Sequence, residues 1–170
     1  MTYPAASIAN AFLSKSFESK TPISPMKIQK LLYFTHGYCL ALLRKPAVNE
    51  LFEAWKFGPV LPSLYQECKG YKSGNINEYL HDYDFITFER TPAPFPDDSQ
   101  INEIIDFVWN TYGKVDAVKL SNLTHETGGP WDQVISQAGG FMYRNQDIDN
   151  DLIKKYFLEN TADPDENKTH

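Results

Sequence analysis

Two short stretches of the chain bring chemically capable side chains close together. His36 and Cys39 stand three apart in an apolar segment, and His125 is followed at once by Glu126. On a helix the first pair could face one direction, and an imidazole beside a thiol is the start of a metal site or of an activated thiolate. Neither is complete: a metal needs further ligands, and a Cys–His couple needs a third group to orient the base. Within an apolar segment, ordinary packing is the simpler role for both. His125 and Glu126 precede Gly128-Gly129 and so fall where a helix should end. A histidine there complements the helix dipole, and the same position could project both side chains toward a partner or a ligand.

Other motifs carry less. Neither Gly128-Gly129 nor Gly139-Gly140 has the spacing of a phosphate-binding loop. The carboxylates of DNDLIKK and ADPDE suit a solvated surface or the start of a helix. Tyr33, Phe34, Tyr38, Phe52, Trp55 and Phe57 read chiefly as core. Any exposed subset would serve as binding anchors, because Trp and Tyr combine large rigid area with one polar atom. No metal or cofactor set emerges, and the expectation is a binding protein rather than an enzyme.

Composition narrows the classes further. A chain of 170 residues suits one domain, expected over 1–160, with the polar TADPDENKTH segment supplying a disordered tail over 161–170. The 22 acidic residues exceed the 16 Lys and Arg, giving a formal charge of −6, which disfavours a phosphate-tracking nucleic-acid surface. The segment holding Lys15, Lys20, Lys27 and Lys30 leaves room for a local basic patch, but its expected role is a solvated helix face. Two cysteines make no disulfide framework, and MTYPAASIAN lacks the basic and apolar regions of a signal peptide. No apolar run approaches the roughly 18 residues that cross a bilayer. The expected location is the cytoplasm.

The elements that must position these residues follow from periodicity. Ile8, Ala9, Phe12, Leu13 and Ser16 share one helical face over 4–18. Ser24-Pro25 caps and opens a second, largely apolar helix running to about Leu43, and Pro46 lies in the break that follows. Residues Leu51 to Phe57 suggest a short extended segment. Gly58-Pro59 should turn into a third helix carrying Val60, Leu61, Leu64, Tyr65 and Cys68. DYDFITF suggests a strand or hairpin, and TPAPFPDD a loop. Asp97 should cap the helix bearing Ile101, Ile104, Ile105, Val108, Trp109 and Tyr112. Asp116 should cap the next, to about His125, and Pro130 should open another with Trp131 after a glycine hinge. A last helix collects Ile148, Leu152, Ile153, Tyr156 and Phe157. The fold class expected is mainly α, a compact single-domain helical fold with a small β-strand or hairpin.

Three blocks, PMKIQKLLYF, EAWKFGPVLPSLY and LSNLTHETGGPW, together resemble the Panacea domain, the phage-associated GepA or SocA-like antitoxin family. With the IKKYF helix the resemblance spans 5–158. It implies a mainly helical, non-enzymatic antitoxin of a bacterial or phage toxin–antitoxin system, which neutralises a cognate toxin encoded by a neighbouring gene through direct protein–protein contact. In one branch such a domain instead acts as an adaptor that hands its toxin to an AAA+ protease of the host. A third alternative is an enzyme that uses His125 and Glu126 to reverse toxin damage. The resemblance falls on Lys27, Leu31, Leu32 and Tyr33, then on Glu53, Ala54, Trp55, Gly58, Pro59, Val60 and Tyr65, then on His125, Glu126, Pro130 and Trp131. The candidate partner-binding residues are Glu53, Trp55, Tyr65, His125, Glu126 and Trp131, with a buried Glu–His or Glu–Lys pair as the structural alternative for the polar ones. Homo-oligomerisation stays open.

Overall fold

The computed structural model describes residues 2–141 and 146–160, so the expected tail over 161–170 lies outside the described residues. Its centre is helix α2, Pro25–Tyr38, in which eleven of fourteen residues are buried. A helix apolar on most sides must be surrounded, and α2 contacts α1 (Ala5–Ser19), α3 (Pro62–Cys68), α4 (Ser99–Tyr112), α5 (Ala117–Thr124) and α7 (Asn150–Asn160). Ser24 caps it as expected, accepting from the Lys27 amide at 3.2 Å. Past Tyr38 the helix widens into a π-helical segment, Cys39–Leu43, rather than continuing as regular α to Leu43. Gly37 is required on α2: a Cβ there would lie 2.2 Å from the Phe157 ring, so only glycine lets α7 pack this closely.

Among the described residues, two small sheets accompany the helices. β1 (Phe52–Trp55) pairs antiparallel with β2 (Gly58–Val60) and with β5 (Asp147–Ile148), in the order β2-β1-β5. β3 (His81–Tyr83) and β4 (Arg90–Pro92) form a separate hairpin. The fold is mainly helical with a small β component, and α6 (Pro130–Gln137) lies against β1, β5 and α7. No described helix is long and apolar enough to cross a membrane.

Several boundaries differ from the sequence reading, each for a local reason. Gly58-Pro59 does not turn into α3. Both residues pair in β2, an edge strand where a residue without an N–H is tolerated, and the helix begins at Pro62 instead. Thr91 and Pro92, expected in a loop, form β4, again an edge. The cap of α4 is Asp98, whose carboxylate accepts from Gln100 and Ile101, while Asp97 takes the Tyr3 hydroxyl. Ile148 belongs to β5, with α7 starting at Asn150. The basic cluster is not a solvated face: Lys27 and Lys30 are buried, Lys27 donating to the Gly113 carbonyl, and Lys15 pairs with Asp106.

Candidate interaction surface

The three sequence blocks meet around the turn at Lys56 and Phe57 that joins β1 to β2. Carbonyls along this turn face side chains from several positions in and beside the helices beneath. Trp131 Nε1 donates to the Trp55 carbonyl at 2.7 Å, and His125 Nε2 lies 3.2 Å from that of Lys56. Ser121 Oγ donates to the Phe57 carbonyl at 2.7 Å, and Lys30 Nζ to that of Pro59 at 3.0 Å. Gln29 closes the series by bonding both the N–H and the carbonyl of Leu61, at 2.9 and 3.1 Å. A hairpin this short cannot hold itself in water, so side chains from α2, α5 and α6 supply the fixing.

Gly58 makes the close approach feasible. Its φ is +113°, and a Cβ would stand 2.5 Å from Thr124 Oγ1 and 3.0 Å from Lys30 Nζ. Trp131 lies over His125 with ring centroids 4.1 Å apart, and Trp55 meets Tyr65 edge-on at 4.9 Å. What the clamp presents outward is aromatic: Trp55 half-buried, Tyr65 exposed, and Phe57 57% exposed.

The six candidate residues therefore separate. Trp55 and Tyr65 reach the surface beside Phe57, which the sequence reading had grouped with the core aromatics. Trp131 and Glu53 are buried, Glu53 on the central strand β1. His125 faces the carbonyls of Ser121 and Lys56, and Glu126, although exposed, accepts from the Tyr156 hydroxyl of α7. His125 and Trp131 thus position the turn, and Glu126 ties the loop after α5 to the last helix. The lysine in the cluster is Lys30, with a backbone carbonyl as its hydrogen-bond acceptor. Burial draws its ammonium down to about 7.

His36 and Cys39, the other pair with chemical potential, are fully buried. His36 Nε2 bonds Asn150 Oδ1 at 2.8 Å and Nδ1 accepts from the Ala47 amide at 3.3 Å, joining α2 to α7 and to the loop before β1. Burial lowers the imidazole's affinity for a proton and pushes both Cys39 and Cys68 up to about 12, so neither thiol is poised as a nucleophile. Among the described residues no group of three or more His, Cys, Asp or Glu could hold a metal ion.

A second exposed apolar surface lies at the tip of the β3–β4 hairpin, where Phe85, Ile86 and Phe88 are 80%, 89% and 75% exposed. The segment is DYDFITF, which the sequence marked only as a strand or hairpin. Its Phe85 to Phe88 stretch is the loop between the strands, and only its first two residues, Asp82 and Tyr83, pair in β3.

The site is thus an aromatic surface built on a fixed turn of a mainly helical body. The sequence profile described as antitoxin SocA-like, Panacea domain, matches residues 28–132, and the chain belongs to this family. The Antitoxin SocA of Caulobacter vibrioides (strain NA1000 / CB15N) is 35% identical over 153 residues, covering 90% of this chain and 81% of that protein. No solved structure gives a significant match.

Proposed function

We propose that this antitoxin-family chain neutralises a cognate toxin by direct, non-catalytic binding, and that the contact is centred on Trp55, Phe57 and Tyr65. The observation that carries the reading is the combination of exposed aromatic rings with a turn whose backbone is held by α2, α5 and α6. Aromatic anchors on a rigid support lose little freedom on association, so more of their contact energy appears as affinity. Of the polar candidates, His125 supports this surface from beneath, through the Lys56 carbonyl.

The experiment is co-expression of the neighbouring gene product with this chain, followed by co-purification. Growth rescue with a stoichiometric complex is expected, and a Phe57→Ala, Tyr65→Ala double variant is expected to weaken that complex at least about tenfold, or 1.4 kcal/mol. Rescue without a complex would overturn direct neutralisation in favour of an adaptor or an enzymatic route. Full binding by the double variant would move the interface elsewhere on the molecule.

A further inference from the structure

Beneath the aromatic surface, between α2, the β1–β2 turn and α3, lies a pocket of about 410 Å³. This is within the roughly 300–1,000 Å³ range of small-ligand sites. Its apolar walls come from Met26, Trp55, Val60 and Tyr65, its depth contains Lys30, and exposed Lys56 and Lys72 stand at its margin. Three lysines and no carboxylate line it, in a chain whose acidic residues exceed its basic ones by 22 to 16. The local sign is therefore opposite to that of the protein as a whole.

We infer that this pocket binds an apolar group carrying a carboxylate, with Lys30 Nζ as the partner of the anion. Lys30 is 1% exposed, and among the described residues it forms no ion pair. Its ammonium has three N–H donors, and the Pro59 carbonyl at 3.0 Å takes one. To hold that single carbonyl, a neutral donor would suffice. A buried ammonium is favourable only once a counter-charge reaches it. The ligand is a monoanion because Lys30 is the one cation in the depth of the site: Gln29 beside it is neutral and already bonds Leu61 through its oxygen and one of its two N–H groups. Aromatic and aliphatic walls then select what the carboxylate is attached to, a ring or branched chain rather than a sugar or a polyphosphate.

The chemistry has two sources, a free hydrophobic acid or the C-terminal residue of a protein chain, and simple probes separate them. N-acetyl-phenylalanine and its primary amide are titrated into the full chain and followed by tryptophan fluorescence and by NMR shifts. The acid is expected to bind at least tenfold more tightly than the amide. Lys30→Met keeps the length and apolarity of the side chain and is expected to abolish that preference while remaining folded. Met26→Trp, which fills the cavity from the half-buried first turn of α2, is expected to abolish binding of both probes. A tetrapeptide ending in phenylalanine that binds more tightly than the acid assigns the source to a chain terminus, and one that binds no better assigns it to a free acid. Equal affinity for acid and amide, binding of neither at millimolar concentration, or a preference that persists in Lys30→Met would overturn the inference. No toxin enters this experiment, so its outcome is independent of the neutralisation test.

Discussion

The two hairpins of this molecule have nearly the same strand lengths and opposite dispositions. β1–β2 is short, carries Phe57 at its turn, and has its carbonyls gripped from below by Trp131, Ser121 and Lys30. β3–β4 is fixed at its base by buried Asn10, which donates to the carbonyls of Leu80 and Ala93, both at 2.9 Å, and accepts from the Leu80 amide at 2.7 Å, and on its exposed side by Arg90, which pairs with Glu67 of α3 at 3.1 Å. Beyond that base the tip is organised by its own Asp84, which accepts from the Ile86 and Thr87 amides and leaves Phe85 and Ile86 in solvent. Both hairpins display aromatic side chains. One presents them on a scaffold that costs little to order on binding, and the other on a turn held by local bonds alone.

The largest expected effect is at the clamp. Gly58→Ala forces a side chain into a left-handed conformation and onto Thr124 and Lys30, and should destabilise the fold by about 3 kcal/mol in urea denaturation. Asn10→Ala leaves the Ala93 carbonyl and the Leu80 amide at the second hairpin's base without their side-chain partner, and the Leu80 carbonyl with the Ala93 amide alone, and a loss of about 2 kcal/mol is expected. If that loss appeared as early amide exchange confined to residues 80–93, the second hairpin would be a separately opening unit, which sharpens the contrast.

Lys30→Met removes the clamp's buried cation but leaves the Pro59 carbonyl without its donor, and the net gain in stability expected at pH 7 is about 1 kcal/mol. The sign follows from linkage. With the folded ammonium drawn down to about 7 and the unfolded one near 10.4, the unfolded chain binds more protons between those values. Lys30 therefore opposes folding fully below about pH 7, and this penalty fades as pH rises toward 10. The advantage of Lys30→Met over the wild type should shrink across the same window, and an advantage constant with pH would contradict a cation held out of water. The smallest effect belongs to the second tip: Phe85→Ser with Ile86→Ser should change stability by less than about 0.5 kcal/mol. A cost comparable to that of Gly58→Ala would dissolve the distinction between the hairpins.

The helices were legible because their signals are local: the Ser24 and Asp116 caps, the Pro25 and Pro130 starts and the apolar stripe of α4 all act within a few residues. The clamp was not, since Trp131 to Trp55 and Lys30 to Pro59 join positions far apart in the chain. Lys27 and Lys30 show the difficulty well. Their charge argued for solvent, whereas their partners, the Gly113 and Pro59 carbonyls, are backbone atoms that leave no trace in residue type. Phe57 misled in the other direction: it has the hydrophobicity of a core residue but sits at a turn pinned by its neighbours' backbone. The three blocks could be recognised together while the reason for their association stayed hidden in main-chain geometry.

The notch that Gly37 leaves on α2 is filled by Phe157, a residue near the far end of the described chain. During synthesis the central helix emerges long before its cover, and at roughly 5–20 residues per second the intervening 120 positions take several seconds or more to appear. Over that interval the central helix keeps an open apolar trough. A messenger cut short, or a ribosome stalled before residue 157, would release a chain with its spine uncovered, a natural target for chaperones and quality-control proteases. The glycine thus makes completion of the polypeptide a condition of its maturity.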